Sequence, residues 1–433
     1  MAESNKPKGD NAPIPFLSPM SGGAQPYTSK ANVHIQFPDK GAGRAYQRPA
    51  TIPNVLELLS AYDIKTGFNV ISKELEIEIP GVTASKRNHV ETALTIIESH
   101  AATHGLATTS IRAIISVIAN QTPINPVHDW IVSKPWDGTS RFDAFSDAVT
   151  TVEEFPTTLK AVLLKKWLRS AVAAVTMLDG FHGRGVLTMQ GPQGIGKSSF
   201  LRSLVPDPEH CGKWVLIGHN WEGGAKDARI AAIRHWVVEL GELESSFKRE
   251  LGTLKAFITQ KEDKVRPPYG RTEIYYPRQT VFAATVNERN FLKDSTGNSR
   301  FWTIPVTALN YEHGIDMQQL FAELLIELQQ GEIWWLTPEE EAQLALSNLE
   351  HRDHGPTGEQ VLALLDLDRK GDPTLERMTA NMVLAKLGYE RPNNSQSKEC
   401  NAVLREYLGQ ETRSRGQNWW LVPLVKQPSN CRY

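Results

Sequence analysis

A glycine-rich segment followed by lysine and serine, MQGPQGIGKSSF over residues 189–200, has the composition of a phosphate-binding loop. It completes the pattern G-x-x-x-x-G-K-[ST]. The glycines let backbone N–H groups turn toward phosphate oxygens, the lysine supplies a positive charge, and the serine hydroxyl is a ligand for Mg²⁺. The predicted loop for a nucleoside triphosphate consists of Gly191, Pro192, Gln193, Gly194, Ile195, Gly196, Lys197, Ser198 and Ser199.

Such a loop works with an acidic side chain at the end of a neighbouring strand, which holds the magnesium ion. The apolar run Trp236–Val238 ends in Glu239, and Glu242 follows three residues later. We predict that Glu239 binds Mg²⁺ together with Ser198. Glu242 is the alternative metal ligand, or the base that orients the attacking water.

Two further polar residues lie next to predicted strands. Asn287 closes the run QTVFAATV, where its amide could position water near the γ-phosphate, although an asparagine there is often only a turn residue. Arg300 precedes the strand FWTIPV. It could pair with Asp294, or it could reach the γ-phosphate bound by a neighbouring subunit.

A basic segment with interleaved tyrosines covers residues 255–278. It contains six lysines or arginines against three acidic residues. This combination suits a surface that follows a phosphate backbone and stacks on bases, although an exposed charged face would look similar. The predicted DNA contacts are Lys255, Lys261, Lys264, Arg266 and Arg271.

The elements that must position these residues form an α/β pattern. VLTM is a strand before the loop and SSFLRSLV a helix after it. The length of 433 residues predicts two or three domains. We expect a disordered tail over 1–50, a mostly helical N-terminal domain over 51–150, an ATPase core over 151–310, a helical extension over 311–355 and a C-terminal module over 356–433.

The C-terminal module resembles a winged helix. TANMVLAKLG, with the cap candidate Thr379, and SKECNAVLREYLG predict helices, and ETRSRGQNWWLVPL predicts two short strands. Arg413 and Arg415 would then lie on the wing, available to phosphates. The alternative is a small helical lid whose hairpin buries two tryptophans. The histidines of HRDH, His351 and His354, are expected in a solvated polar turn.

Composition narrows the function classes. The formal net charge is −2, so any nucleic-acid contact must come from a local patch. Three distant cysteines fit a reducing cytoplasm and predict neither a disulfide framework nor a zinc site. The sequence contains no apolar run of 18 residues, and we expect no membrane association.

The motifs PWDGTSRFDAF, GPQGIGKSSF, WVVELGEL and FLKDSTGNSRFWTIPV, in this order, resemble the virulence-associated E family of phage- and mobile-element-encoded ATPases. That family is related to superfamily three replicative helicases. The resemblance covers residues 125–310 and implies an AAA+-like P-loop core. It makes 191–198 the Walker A loop, Glu239 or Glu242 the Walker B acid, Asn287 the sensor and Arg300 the arginine finger.

The resemblance also implies partners. It predicts a homo-oligomeric ring, such as a hexamer, that hydrolyses ATP with Mg²⁺ at subunit interfaces and moves on single-stranded or forked DNA in a bacterial cytoplasm. Because the chain has no primase-like carboxylates, a primase would be encoded separately. Two alternatives remain: a small-molecule P-loop kinase, and a replication initiator or regulator that uses ATP as a switch without unwinding DNA.

Overall fold

The computed structural model describes residues 33–41, 48–82, 88–177, 181–221, 226–241, 251–265, 274–292, 298–414 and 416–425. The chain divides into two compact units. The first contains the described residues up to Asn69 together with Glu74–Ile124, and the second contains Val70–Lys73 and the chain from Asn125 onward.

The first unit packs helices against a small sheet. Its elements are α1 (Ile52–Ala61), β1 (Lys65–Asn69), β2 (Glu74–Glu78), α2 (His89–Thr103), α3 (Ile111–Asn120) and β3 (Pro123–Ile124). The strand order is β2-β1-β3, with β2 antiparallel and β3 parallel to β1. Helix α1 begins where the Thr51 side chain accepts a hydrogen bond from the Asn54 backbone N–H.

The core of this unit includes residues that precede α1. Ile35 and Phe37 are buried in the same cluster as Val55 and Leu58. Asn54 is fully buried, and its Nδ2 donates to the carbonyl oxygens of Asp39 (3.1 Å) and Pro49 (2.9 Å). The predicted tail over residues 1–50 is therefore too long, because the segment from Val33 contributes to the core.

The second unit is built on a larger sheet. Its elements up to the end of that sheet are α4 (Pro126–Ile131), α5 (Phe142–Asp147), β4 (Val149–Thr151), α6 (Thr157–Thr176), β5 (Val186–Gln190), α7 (Lys197–Arg202), α8 (Pro208–Trp214), β6 (Val215–His219), α9 (Lys226–Ile233), β7 (Val237–Leu240), α10 (Leu251–Ile258), β8 (Glu262–Val265), β9 (Ile274–Pro277), β10 (Val281–Val286), a 3₁₀ helix (Asn298–Arg300) and β11 (Phe301–Leu309).

The six-stranded sheet has the order β4-β11-β5-β10-β7-β6. All neighbouring strands from β11 to β6 run parallel, and only β4 is antiparallel. Strands β5, β7 and β10 are short, nearly continuous buried runs, as expected for strands covered on both faces. The unit is thus a mixed α/β fold with a parallel sheet, in agreement with the predicted class.

Helix α6 lies along the sheet and is almost entirely buried. Trp167 Nε1 donates to the Phe282 carbonyl oxygen at 2.8 Å, and Trp236 Nε1 donates to the Ala171 carbonyl oxygen at 2.8 Å. These bonds give both buried indoles the partner that they require and attach the helix to the sheet.

The boundary between the units lies earlier than the predicted residue 150. Val127, Ile131, Phe142 and Phe145 are buried in the large core cluster of the second unit. The segment from Asn125 therefore belongs to that unit because its apolar side chains complete the unit's core.

The C-terminal part continues with α11 (Met317–Gln329), α12 (Pro338–Leu349), α13 (Gly355–Leu364), a second 3₁₀ helix (Leu367–Arg369), β12 (Arg377–Met378), α14 (Ala380–Lys386), α15 (Asn394–Leu408), β13 (Thr412–Ser414) and β14 (Gln417–Leu421). Thr379 caps α14 as predicted. The strands form a sheet of order β12-β14-β13. A separate cluster buries Trp420 with residues of α14 and α15, while Trp419 stays partly exposed.

The expectation for the HRDH segment is wrong. His351 is 3% and His354 is 8% exposed, and burial lowers the pKa of both imidazoles. His351 Nδ1 lies 3.1 Å from the Arg289 carbonyl oxygen, and His354 Nε2 lies 3.1 Å from the Tyr407 hydroxyl. Both histidines are therefore buried packing residues with polar partners.

Within the described segments, the helices lack the combination of length and apolar character that crossing a membrane requires.

We predict that Asn54→Ala destabilises the first unit. The buried amide donates to the half-buried carbonyl groups of Asp39 and Pro49, and the loss of two hydrogen bonds at about 0.5–1.5 kcal/mol each would cost about 1–3 kcal/mol. Denaturant unfolding monitored by circular dichroism checks this. The control is Asn120→Ala, because Asn120 is exposed and donates only to the Ser116 carbonyl oxygen of its own helix. Equal midpoints for the two variants would contradict the assignment.

Candidate functional site

The predicted phosphate loop connects β5 to α7, so the strand-loop-helix context of the motif is present. Gly194 has φ +88° and Gly196 has φ +90°, a region that residues with a side chain rarely adopt. A Cβ built on Gly191 would lie 2.2 Å from the Val306 carbonyl oxygen. The loop therefore needs glycine at its first position for space and at the other two for backbone conformation.

Lys197 is at the start of α7 and is only 7% exposed. Its Nζ donates to the carbonyl oxygens of Gly191 (2.6 Å) and Pro192 (2.9 Å) and to Asn287 Oδ1 (2.9 Å). The ammonium group thus lies inside the curve of the loop and touches the predicted sensor residue. The structure brings together two residues that are 90 positions apart in the chain.

Glu239 is at the end of β7 and is 1% exposed. Ser198 Oγ donates to its Oε1 at 2.7 Å, and Thr285 Oγ1 donates to the same oxygen at 2.8 Å. The Gly218 N–H donates to Oε2 at 2.9 Å. A buried carboxylate needs such donors because burial removes its water. The two predicted metal ligands, Ser198 and Glu239, are therefore directly adjacent.

Sheet order explains this convergence. Strand β10 lies between β5 and β7, and parallel strands end at the same edge of a sheet. The loop after β5, Asn287 after β10 and Glu239 near the end of β7 consequently meet at that edge. Sequence reasoning missed Thr285 and Gly218. Thr285 had a signal, because it lies two residues before Asn287 and alternate residues of a strand share a face.

These residues fit a magnesium–triphosphate group. The loop backbone has the glycines that its conformation and packing require, its lysine is buried, and a serine hydroxyl and a carboxylate oxygen form a hard-oxygen pair of the type that Mg²⁺ prefers. Ser198 and Glu239 would hold the ion, and Lys197 would hold phosphate oxygens. Glu242, the alternative acid, lies outside the described residues.

Arg300 lies at the opposite edge of the sheet. It ends the first 3₁₀ helix, directly before Phe301, and Phe301 pairs with Val186 at the start of β5. The five residues of β5 therefore lie between Arg300 and the phosphate loop, a distance along the strand of about 16 Å at 3.3 Å per residue. Among the described residues, none accepts a hydrogen bond from Arg300 Nε. Asp294, its other predicted partner, lies outside the described segments.

Residue Asn348 of α12 holds this 3₁₀ helix in place. Asn348 is 3% exposed, and its Nδ2 donates to the carbonyl oxygens of Asn298 (3.2 Å) and Phe301 (3.0 Å). The backbone on either side of Arg300 is thus fixed.

The basic segment forms a hairpin of β8 and β9. Lys261 and Lys264 are exposed on it, and the Lys264 ammonium lies 5.4 Å from the centroid of the Tyr275 ring, which is 60% exposed. This pairing of cation and aromatic ring is suited to a nucleic-acid surface. Arg266 and Arg271, which are predicted contacts, lie outside the described residues.

Two basic residues of this segment are not on the surface. Lys255 is 7% exposed on α10, so the prediction that it contacts DNA is not supported by its position. Arg278 is fully buried and forms an ion pair with Asp263, with 2.6 Å between Nε and Oδ2. Its guanidinium also lies 4.4 Å from the Phe257 ring centroid. Arg278 therefore anchors the base of the hairpin and is not available at its surface.

On the predicted wing, Arg413 is exposed on β13, whereas Arg415 lies outside the described residues. Arg405 of α15 pairs with Glu411 at 2.7 Å. Part of the positive charge of this region is thus already neutralised.

Three comparisons with known proteins gave different results. Among curated proteins there is no match. Two apo structures titled as the NrS-1 C-terminal region have TM-scores of 0.40 and 0.39 at 14% identity, each covering 85% of this chain and 98% of the other. Likeness at that level supports no functional argument. The virulence-associated protein E-like domain matches residues 131–353, just over half of the 433 residues. The chain therefore belongs to the virulence-associated protein E-like family.

Proposed function

We propose that this protein is an ATP-driven DNA helicase or translocase that acts in the replication of a phage or mobile genetic element. One observation carries the proposal: the Ser198 hydroxyl lies 2.7 Å from the buried carboxylate of Glu239, beside a Lys197 ammonium that contacts Asn287. A loop lysine, two candidate metal ligands and a sensor amide thus occupy one sheet edge, as ATP hydrolysis in an AAA+-like P-loop core requires. Membership of the virulence-associated E family supports the same proposal.

Each residue then has a role. Loop N–H groups bind the α- and β-phosphates, Lys197 binds the β- and γ-phosphates, and Ser198 and Glu239 hold Mg²⁺, which would neutralise phosphate charge. Thr285 and the Gly218 N–H keep the Glu239 carboxylate oriented. Asn287, now bonded to Lys197, is placed to orient water at the γ-phosphate. Glu242 stays a second candidate for activating that water.

The position of Arg300 supports a ring. Because Arg300 lies at the edge of the sheet away from its own phosphate loop, its guanidinium suits the site of a neighbouring subunit better than its own. A homo-oligomeric ring, such as a hexamer, provides such an interface between every pair of neighbours. In that arrangement the exposed hairpin of β8 and β9 would bind single-stranded or forked DNA, and a separately encoded primase remains a possible partner.

We predict that Lys197→Ala abolishes ATP turnover, because the variant lacks the positive charge that stabilises the phosphates. Glu239→Gln should still bind ATP but hydrolyse it about a hundredfold more slowly or worse. Phosphate release measures the rate of hydrolysis by both variants. Lys213→Ala is the matched control, because Lys213 is exposed on α8 and pairs at the surface with Glu209 of the same helix. Turnover of folded Lys197→Ala at the control rate would refute the site, and a larger defect in Glu242→Gln would make Glu242 the metal-binding acid.

For DNA, we predict that Lys261→Ala combined with Lys264→Ala weakens single-strand binding. The slope of log affinity against log salt should fall by about one to two units, at about 0.7 per phosphate contact. Fluorescence anisotropy over a salt series measures it. The charge-matched control, Lys134→Ala with Lys213→Ala, removes two exposed lysines elsewhere and should change neither quantity. Equal slopes for the two double variants would move the contact to another surface, with the Arg413 wing next to be tested.

For Arg300, we predict that Arg300→Ala binds ATP but hydrolyses it up to about a thousandfold more slowly. Mixing this variant with Lys197→Ala should restore turnover, because some interfaces then combine an intact loop with an intact arginine. Phosphate release from the mixture measures this, with subunit exchange followed by fluorescence energy transfer. A mixture that exchanges subunits and stays inactive would show that Arg300 does not act between subunits. Nearly normal turnover of Arg300→Ala alone would exclude the arginine-finger role.

A strand-displacement assay on a forked duplex, with and without ATP, separates this proposal from the initiator alternative. A motor unwinds a forked duplex only with ATP, whereas an ATP-switched initiator binds DNA without unwinding it.

A further inference from the structure

Tyr311 is an exposed aromatic residue beside the phosphate loop. It follows β11 in a short turn, and 44% of its surface is exposed. A Cβ built on Gly196 would lie 2.6 Å from Tyr311 Cδ1 and 2.8 Å from Cε1. The tyrosine ring therefore lies directly against the glycine that precedes Lys197, on the loop that the proposed function assigns to the phosphates.

The segment that carries Tyr311 is fixed on the protein. The Asn310 N–H donates to the Ala148 carbonyl oxygen at 2.9 Å. On the other side, His313 packs against Phe145 and Phe200, with ring centroids 5.9 Å and 6.2 Å away. Burial lowers the pKa of His313, which favours the neutral imidazole.

Neutral His313 has one donor and one acceptor nitrogen, and both have partners. Its Nδ1 accepts from the Ile315 N–H at 3.1 Å, so its Nε2 carries the proton and donates to Ser203 Oγ at 3.0 Å. Ser203 Oγ in turn donates to the Phe200 carbonyl oxygen at 2.8 Å. This chain of bonds connects the Tyr311 segment to helix α7, the helix that begins with Lys197.

We infer that Tyr311 forms a wall of the nucleoside subsite and stacks on the base of the bound nucleotide. The inference rests on the proposed function and adds the recognition of the base to it. The loop N–H groups hold the α- and β-phosphates, so the nucleoside must leave the loop near the start of α7. An aromatic ring at Gly196 with an exposed face offers a partner for stacking, and every nucleobase has a face that can use it.

A purely structural role for Tyr311 predicts different behaviour. If the ring only covered Gly196 and supported the loop, its removal would disturb phosphate binding and base binding together. If the ring stacks on the base, its removal would weaken only ligands that have a base. Tripolyphosphate has the phosphates without the nucleoside, so it separates the two roles.

The test is calorimetric titration of the full chain with Mg²⁺-ATP and with Mg²⁺-tripolyphosphate. We expect Tyr311→Ala to weaken ATP binding by about fivefold or more and to leave tripolyphosphate affinity unchanged. Tyr311→Phe keeps the ring and should bind ATP like the wild type. Lys197→Ala should weaken both ligands, because both have the phosphates.

Each other outcome overturns a distinct statement. Equal ATP affinity in Tyr311→Ala and wild type, or a parallel loss of ATP and tripolyphosphate affinity, would overturn the stacking role while leaving the phosphate site intact. Failure of the wild type to bind either ligand would overturn the proposed function itself.

Discussion

The burial of the Glu239 carboxylate is the constraint on which the rest of the site depends. An ionised carboxylate loses its hydration when it is buried, and that loss must be offset by donors or by a cation. Here the donors are the hydroxyls of Ser198 and Thr285 and the N–H of Gly218. They come from α7, β10 and β6, so the acid is satisfied only when these elements are assembled around β7.

The sheet order satisfies this constraint and places different functional candidates at the two edges where the parallel strands start and end. With β10 between β5 and β7, the loop, the amide of Asn287 and the acid share one edge. The start of β11, and with it Arg300, lies at the other. A chain built this way has the proposed phosphate site on one side and an arginine on the other, which is the arrangement that the proposed ring of subunits would use. Helix α6 is attached to the sheet by the indole bonds of Trp167 and Trp236, which lie near the starts of β10 and β7.

Much of the site could be predicted because its residues stand at strand ends in recognisable patterns. The loop motif and Asn287 each follow an apolar strand, Glu239 lies near the end of one, and parallel strands bring these ends together. Gly218 was missed because a backbone N–H has no distinctive local pattern, and Thr285 was missed although its spacing of two residues from Asn287 was a signal. Tyr311 was missed for a related reason, since its contact with Gly196 depends on the path of the chain after β11.

In the basic segment, the burial of individual residues could not be predicted from the sequence. Counting charges cannot distinguish Lys261 and Lys264, which are exposed, from Lys255 and Arg278, which are buried. The two boundaries predicted at residues 50 and 150 were likewise misplaced. Ile35 and Phe37 belong to the first unit although their neighbours are rich in glycine and proline, and the segment after Asn125 belongs to the second unit. Burial in each case is decided by long-range packing, which local sequence patterns do not contain.

The most direct test of the central claim is phosphate release from ATP by the wild-type chain, measured with and without Mg²⁺ and with and without single-stranded DNA, at a concentration where the mass in solution is known. The proposed site predicts turnover that requires Mg²⁺, increases with single-stranded DNA and occurs in an oligomer. Absence of phosphate release from the folded protein under all of these conditions would contradict it.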